Sequence, residues 1–344
     1  MLKNLFNNVL GMFSADLAMD LGTANTLVYI REQGVVLTEP SVVAISINGA
    51  GVEAVGLQAK RMHGRTHSKL DTIRPMKDGV IADFDVTQQM ITYFIKKVLK
   101  QQRFFKPRIV VGVPTCITQV EKKAVIDAAM MAGVREVLLV EEPMAAAIGV
   151  GLPIHRPEGN MVIDIGGGTT DVAVISLSTI AYGESVRVAG DEIDEAIVRY
   201  MRLNHHLNIG VFEGEQVKIN IGSAYPGVAK LTCEVKGLNV KTGMPMSIVV
   251  NDEEIREAMK EPITTIVTAI MRALEKIPPE LSSDIHSNGI YLTGGGALIR
   301  GLDKMIEEIT TLKVYIPDQP LISIVKGTGA ILDNHETMKK VCIN

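Results

Sequence analysis

The sequence has few of the features that mark secreted, membrane-spanning or nucleic-acid-binding proteins. Its three cysteines, Cys116, Cys233 and Cys342, are far apart and odd in number, which fits neither a disulfide framework nor a zinc site and indicates a reducing cytoplasm. It contains no run of eighteen apolar residues that would cross a bilayer. With 35 basic and 39 acidic side chains, the net charge of -4 argues against electrostatic binding to nucleic acid.

The sequence contains enough hydrophobic residues to form large buried cores. Of its 344 residues, 47% are hydrophobic and 22% are charged, which excludes a disordered or fibrous chain and suggests two domains of ordinary size. Strand-like and helix-like segments alternate along the chain, which predicts α/β layers. No linker rich in proline, glycine or serine separates the halves.

The alternation predicts individual elements. Strands are expected at 16–21, 26–31, 42–47, 108–113, 137–140, 161–165, 172–176, 185–188 and 289–292, the first three forming a β-meander. Helices are expected at 87–102, 120–132, 191–204, 214–221, 252–276 and 298–310.

Two segments with the same sequence pattern lie 144 positions apart and suggest a duplicated domain. Asp20-Leu-Gly-Thr-Ala-Asn-Thr and Asp164-Ile-Gly-Gly-Gly-Thr-Thr-Asp each combine an apolar strand, an aspartate, a glycine turn and hydroxyl residues. Glycine lets main-chain N–H groups approach an anion closely. The residues expected to hold a polyphosphate are Thr23, Ala24, Asn25, Gly167, Gly168 and Thr169. Either hairpin alone would be interpreted as an ordinary turn.

The two aspartates of these hairpins are candidate ligands of a hydrated Mg²⁺. Asp20 and Asp164 stand at strand ends, where carboxylates suit a metal shared with phosphate groups.

A third glycine cluster, Leu292-Thr-Gly-Gly-Gly-Ala-Leu-Ile, lies between a predicted strand and a predicted helix. It lacks the GxGxxG spacing of a dinucleotide fold. Three glycines suit close approach to a flat adenine and its ribose, and the dipole of the helix starting at Leu298 would add to binding.

Several longer motifs resemble the bacterial MreB family, within the superfamily of actin, sugar kinases and heat-shock chaperone ATPases. These are Asp20-Leu-Gly-Thr-Ala-Asn-Thr-Leu, Glu39-Pro-Ser-Val-Val-Ala, Arg74-Pro-Met-Lys-Asp-Gly-Val-Ile-Ala-Asp, Glu141-Glu-Pro-Met-Ala-Ala-Ala-Ile-Gly and Ile221-Gly-Ser-Ala-Tyr-Pro. The resemblance runs from about residue 12 to the C-terminus. It implies an α/β actin-like fold: duplicated ribonuclease-H-like domains, a nucleotide cleft between them, and a smaller subdomain inserted in each.

The resemblance also implies residue roles toward ATP and Mg²⁺. Glu142 matches a glutamate that orients the attacking water, and Thr169 a threonine that helps to hold it. Glu215 and Lys218 match residues that clasp ribose and adenine. Further nucleotide-binding residues are Gln216, Val217, Gly294, Gly295, Gly296, Ala297 and Leu298.

The residues themselves also allow plainer interpretations. Glu142 fits a carboxylate in the first turn of a helix, and the neighbouring Glu141 competes for its role. Glu215 and Lys218 fit an i,i+3 surface ion pair.

The first fourteen residues form a candidate membrane-binding helix. At about 100° per residue, one arc of about 160° collects the apolar side chains of Leu2, Leu5, Phe6, Val9, Leu10, Met12 and Phe13. A docked core helix and an oligomer contact are the alternatives, and a secretory signal is disfavoured because Asn7 and Asn8 interrupt the apolar region. Phe104 and Phe105, bracketed by cations, are either buried beneath their loop or inserted into the same bilayer.

These observations combine into one prediction of organisation and function. We expect a membrane-binding helix at 1–14, actin-like domain I at 15–145 (smaller subdomain about 33–70) completed by 315–344, and domain II at 146–314 (smaller subdomain about 182–245).

The resemblance implies a slow ATPase that forms homopolymer filaments at the inner face of the cell membrane, with membrane proteins of the cell-wall elongation machinery as partners and no nucleic acid. The alternative is a soluble ATP-dependent small-molecule kinase of the same superfamily. Such a kinase would need an aspartate as its catalytic base, but Asp171 is interpreted as structural and the sequence identifies no other candidate. A chaperone would need a peptide-binding domain, for which the chain has no room.

Overall fold

The computed structural model describes residues 16–47, 51–65, 70–99, 106–228, 230–334 and 338–343. The predicted membrane-binding residues 1–14, Phe104 and Phe105 lie outside these ranges. The chain forms two compact units. Unit 1 comprises Met1–Arg156, Leu177–Thr179 and Ile322–Asn344, and unit 2 comprises Pro157–Ser176 and Ile180–Leu321.

Both units are mixed α/β, as predicted. The strands are β1 Leu17–Leu21, β2 Asn25–Ile30, β3 Gly34–Pro40, β4 Val43–Ser46, β5 Val52–Val55, β6 Leu70–Ile73, β7 Met76–Lys77, β8 Val80–Ile81, β9 Arg108–Val113, β10 Glu136–Glu141, β11 Asn160–Ile165, β12 Thr170–Ser176, β13 Thr179–Val186, β14 Leu207–Asn208, β15 Thr232–Asn239, β16 Pro245–Asn251, β17 Ile290–Thr293 and β18 Val314–Tyr315. The helices are α1 Leu57–Met62, α2 Phe84–Val98, α3 Gln119–Met131, α4 Glu142–Gly149, α5 Gly190–Asn204, α6 Val211–Ile221, α7 Asp252–Lys276, α8 Pro279–Asn288, α9 Leu302–Thr310 and α10 Ser323–Asp333.

Unit 1 is built on a five-stranded sheet of order β10-β9-β1-β2-β3. β1 pairs antiparallel with β2 and parallel with β9, and β9 pairs parallel with β10. The central strands β1 and β9 are buried along almost their whole length, and apart from Asp20, Arg108 and Gly112 their residues are apolar, as expected for parallel strands that helices cover on both faces. Leu17, Met19, Ile109 and Val111 are fully or almost fully buried in the core of this unit, together with Phe94 from α2.

The predicted meander was wrong in its third strand. The segment at Val43–Ser46 belongs to a separate three-stranded sheet of order β5-β4-β6, and β3 takes its expected place beside β2. β3 alternates only partly in burial, so its residues resemble a loop in the sequence.

Unit 2 repeats the topology of unit 1. Its five-stranded sheet has the order β13-β12-β11-β17-β18, in which β11 pairs antiparallel with β12 and parallel with β17. β11 and β17 thus correspond to β1 and β9, so the predicted duplication is visible in the strand order. The core of this unit includes the buried Met161, Ile163, Ile193 and Ile270.

Most predicted helices are found, with shifted ends. Helix α2 starts at Phe84 because the side chain of Asp83 caps it by accepting from the N–H of Val86. Helix α7 starts as expected, at a capping box formed by Asn251 and Glu254. Within the described ranges, none of the helices has the length and apolar character needed to cross a bilayer.

Candidate nucleotide-binding site

The first hairpin joins β1 to β2 and is held by contacts of its own main chain. A Cβ on Gly22 would lie 2.8 Å from the carbonyl oxygen of Asn25, so this tight turn requires glycine. Ser41, which follows β3, supports the turn with two hydrogen bonds. Its N–H donates to the oxygen of Ala24 over 3.0 Å, and its hydroxyl donates to the oxygen of Gly22 over 2.6 Å. The candidate phosphate-binding residues Thr23, Ala24 and Asn25 therefore sit on a supported loop.

Thr23 is tied to a second segment of unit 1. The N–H of Gly79 donates to Thr23 Oγ1 over 3.1 Å, and Thr23 is buried. Gly79 lies between β7 and β8, within the family-like stretch that begins at Arg74. The side chain of Thr23 thus anchors the hairpin, and its main-chain N–H is the group suited to an anion.

Asp20 and Glu142 approach the same face of the unit 1 sheet. Asp20 is the register partner of Gly112 on the parallel strand β9, and side chains of register partners share a face. A Cβ on Gly112 would lie 3.5 Å from Cγ of Glu142 and 3.0 Å from Cγ2 of Ile324. The Glu142 side chain therefore reaches the face of the sheet that carries Asp20, and the closest neighbour of a Cβ at position 112 would be Ile324.

Glu142 is the first residue of α4, and both it and Asp20 are only 7% exposed. The preceding Glu141 is the N-cap residue, without a capping hydrogen bond from its side chain. Burial raises the pKa of Glu141, although Lys122 and the backbone of Cys116 oppose the shift. The two neighbouring glutamates thus have different surroundings, and Glu142 is the one that reaches the sheet face carrying Asp20.

Helix α4 is fixed in place by close packing against α10. A Cβ on Gly327 would lie 1.7 Å from the oxygen of Ala145, and one on Gly149 would lie 1.9 Å from the oxygen of Ser323. The two helix backbones are in direct contact, which fixes the position of the N-terminus of α4 and hence of Glu142.

The second hairpin joins β11 to β12 in unit 2 and contacts the start of α5. Across the turn, the N–H of Gly166 donates to the oxygen of Thr169 over 2.9 Å. The N–H groups of Gly190 and Asp191 donate to the oxygens of Gly166 and Gly167, over 3.2 and 2.8 Å. The first turn of α5 thus supports the glycines, and these two N–H groups of the helix are already engaged.

Asp164 is held by a threonine that the sequence did not identify. The hydroxyl of Thr293, its register partner on β17, donates to Asp164 Oδ1 over 2.7 Å. Burial raises the pKa of Asp164 to about 6, and the hydrogen bond from Thr293 opposes this shift. Thr293 is fully buried, so the carboxylate is held in one orientation.

Lys218 contacts buried groups next to the second hairpin, so the surface ion pair considered from the sequence does not describe it. Its ammonium lies 2.8 Å from Asp194 Oδ1 and donates to the oxygen of Gly190 over 3.0 Å. Desolvation raises the pKa of Asp194 to about 6, and the attraction to Lys218 opposes this. Lys218 on α6 is thereby joined to the turn that supports the glycines.

The third glycine cluster packs onto the end of β11. Gly294 has φ +78°, and a Cβ there would lie 2.4 Å from the oxygen of Ile165, while one on Gly296 would lie 2.2 Å from Cγ2 of Ile165. Helix α6, the second hairpin and the glycine cluster therefore meet within unit 2. The other residues predicted to bind the nucleotide differ in burial. Val217 and Ala297 are buried in the core, whereas Gln216 and Leu298 are exposed.

One expectation about this cluster was wrong. Residues 295–298 form a short 3₁₀ helix, and the α-helix begins only at Leu302. Ile299 is extended and Gly301 is left-handed with φ +72°, which interrupts the helical path. The glycines therefore lack the dipole of an α-helix directly behind them.

The repeated fold and paired Asp–Gly hairpins define an actin-like protein. The family described as MreB/Mbl protein matches residues 14–340, and the chain belongs to this family. The cell shape-determining protein MreB of Escherichia coli K12 is 53% identical over 329 residues, 94% of each chain. The cell shape-determining protein Mbl of Bacillus subtilis 168 is 45% identical over 96% of this chain and 99% of its own.

Solved structures agree with this assignment. MreB5 of Spiroplasma citri bound to AMPPNP superposes with a TM-score of 0.90 at 35% identity, covering 94% of this chain and 97% of that one. The MamK double helical filament has a TM-score of 0.80 at 23% identity over 92% and 99% of the two chains, which shows the shared fold. As a family member, the chain is an actin-like cytoskeletal protein.

Proposed function

We propose that this chain binds and slowly hydrolyses ATP and polymerises into membrane-associated filaments that organise cell-wall synthesis and maintain rod shape. The observation that supports this most directly is the repeated Asp–Gly hairpin, found at the same place in two sheets of the same strand order. A relative with bound AMPPNP and one with bound ADP support the choice of nucleotide.

The hairpins are suited to the phosphate groups. Their turns bring glycine N–H groups into small concave loops, which favour an anion without a side chain in the way. Thr23, Ala24 and Asn25 serve this role in unit 1, and Gly167, Gly168 and Thr169 in unit 2.

Asp20 and Asp164 fit a magnesium ion that is shared with the phosphates. Both are buried carboxylates at strand ends, and Thr293 orients one of them. Among the described residues, no three His, Cys, Asp or Glu side chains come together as a metal site of their own. Such a pair suits Mg²⁺, which keeps several waters and binds through one or two carboxylates and substrate phosphates. When bound, the ion would neutralise charge on the transferring phosphoryl group.

Glu142 is the residue proposed to orient the attacking water, with Thr169 helping to hold it. It is buried on the sheet face that carries Asp20, and the packing of α4 on α10 fixes its backbone. Hydrolysis depends largely on placing water in line with the phosphate, so a fixed carboxylate is the appropriate group. Slow turnover suits a polymer whose contacts weaken after hydrolysis.

The adenosine is assigned to unit 2. Glu215 and Lys218 lie on α6, and the glycines from Gly294 to Gly296 let a flat ring approach the main chain. Lys218 also binds the Gly190 oxygen next to the phosphate hairpin. This contact links the proposed adenosine and phosphate parts of the site.

The proposed partners are further copies of this chain, the inner membrane surface and membrane proteins of the elongation machinery. A head-to-tail contact that does not close on itself generates a filament. One amphipathic helix at 1–14 would bind weakly, because ordering its backbone costs about 1–2 kcal/mol per residue and offsets partial burial of its apolar side chains. Many copies on one polymer would bind far more tightly through effective concentration.

The proposal is tested by measuring phosphate release and polymer sedimentation in the same sample, with Mg²⁺ and either ATP or AMPPNP. Pelleting with both nucleotides and phosphate release with ATP alone are expected. A folded protein that neither pellets nor releases phosphate would overturn the proposal.

A further inference from the structure

Arg300 links two segments of unit 2 that the proposed function assigns to the adenosine. Helix α6 carries Glu215 and Lys218. Arg300 lies two residues after Leu298, the last residue of the glycine cluster that is predicted to bind the nucleotide. Its Nη1 donates to the oxygen of Ile219 over 3.1 Å and to that of Gly222 over 3.4 Å. Ile219 immediately follows Lys218, so the contact lies directly behind a proposed adenosine-binding residue.

These two oxygens are groups that α6 cannot satisfy by itself. They belong to the end of the helix, where the last carbonyls lack intrahelical N–H partners. A guanidinium at this end also interacts favourably with the helix dipole. Arg300 therefore completes the C-terminus of α6 with a side chain from the glycine-cluster segment.

The main chain connects the same two segments. The N–H of Ala224 donates to the oxygen of Arg300 over 2.8 Å, and Ser223 forms a parallel bridge with Arg300. Gly301 has φ +72°, and a Cβ there would lie 2.6 Å from Cβ of Tyr225. The Ile221-Gly-Ser-Ala-Tyr-Pro motif thus packs against the residues that follow the glycine cluster.

We infer that Arg300 is a positioning residue that sets the separation between α6 and the glycine cluster and so favours the adenosine part of ATP. This inference rests on the proposed nucleotide function. A base and ribose held between two segments require a fixed separation, whereas an inorganic polyphosphate held by the hairpins does not. Loss of the guanidinium should therefore weaken ATP binding and leave tripolyphosphate binding almost unchanged.

The test compares the affinities of the full chain for Mg²⁺-ATP and for Mg²⁺-tripolyphosphate by titration calorimetry. Arg300→Met keeps the aliphatic stem and removes the donors, and it should weaken ATP about tenfold and tripolyphosphate less than about twofold. Arg300→Lys restores a cation and should recover part of the loss. Arg272→Met is the matched control, since Arg272 is an arginine of the same unit whose guanidinium pairs with Glu184.

The possible results distinguish a failure of the proposed nucleotide function from a failure of the positioning role of Arg300. A wild-type protein that binds neither compound would overturn the proposed function. If the wild type binds both compounds, but Arg300→Met weakens the binding of ATP and tripolyphosphate equally or weakens the binding of neither, the positioning role is wrong. Arg300→Gln, with the same expected direction, replaces the Met variant if that variant fails to fold.

Discussion

The ammonium of Lys218 lies 2.8 Å from the carboxylate of Asp194, a residue with only 2% of its surface exposed. The same ammonium binds the main-chain oxygen of Gly190, which stands next to the second hairpin. A buried carboxylate and a lysine from different helices thereby connect α5, α6 and the hairpin.

Replacing Asp194 by Asn should remove a pH dependence of stability between about pH 4 and pH 6. Burial raises the pKa of Asp194 from 3.8 to about 6, so in this window the folded state keeps a proton that the unfolded state has lost. The free energy of unfolding of the wild type should fall relative to Asp194→Asn by roughly 1.4 kcal/mol per pH unit as pH rises. Urea unfolding across this range measures the difference. A difference that stays constant, or that grows in favour of the wild type, would contradict the assignment.

Glu142→Ala should retain nucleotide binding and release phosphate at least about tenfold more slowly, equivalent to roughly 1.4 kcal/mol of barrier. The reason is that the proposed role of Glu142 is to orient water, not to hold ATP. Single-turnover phosphate release, with the protein in excess over Mg²⁺-ATP and at a concentration that binds all of it, is the measurement. Glu141→Ala is the matched control and should release phosphate at nearly the wild-type rate. Unchanged release in the Glu142 variant would remove this residue from its role.

Gly327→Ala should destabilise unit 1 by more than about 3 kcal/mol, because its Cβ would overlap the oxygen of Ala145 in α4 and force the two backbones apart. Gly210→Ala is the control, since a Cβ there meets no atom within 4 Å and φ is -79°. It should cost less than about 1 kcal/mol. Thermal unfolding of both variants measures the effect. Equal stability of the two would show that α4 and α10 do not pack as described.

Removing residues 1 to 14 together with Phe104→Ser and Phe105→Ser should abolish the additional pelleting that anionic lipid vesicles cause in the presence of ATP. Each apolar group contributes only through partial burial, so either change alone should reduce the pelleted fraction less. Sedimentation with and without vesicles separates lipid binding from polymer mass. Vesicle binding that survives the combined change would reject the membrane role of these segments.

The sequence predicted the layers of the fold because buried strands and amphipathic helices differ strongly in pattern. Apolar runs such as Arg108–Val113 and the Asp–Gly turns are local signals, and the structure has these strands where they were expected. β3 was missed because its half-exposed residues resemble a loop. The pairings of Thr293 with Asp164 and of Gly112 with Asp20 depend on strand register, which local pattern does not encode. The burial of Lys218 against Asp194 likewise depends on how α5 packs on α6.

Asp20 and Asp164 are the carboxylates proposed to hold Mg²⁺ against the phosphates of ATP, the assignment on which the proposed function depends most. Titration calorimetry of ATP, with Mg²⁺ or with EDTA, tests it directly on the wild type, Asp20→Asn, Asp164→Asn and the double variant. Each single variant should bind Mg²⁺-ATP at least about tenfold more weakly, while binding in EDTA changes little. A folded double variant that binds Mg²⁺-ATP as tightly as the wild type would contradict the claim.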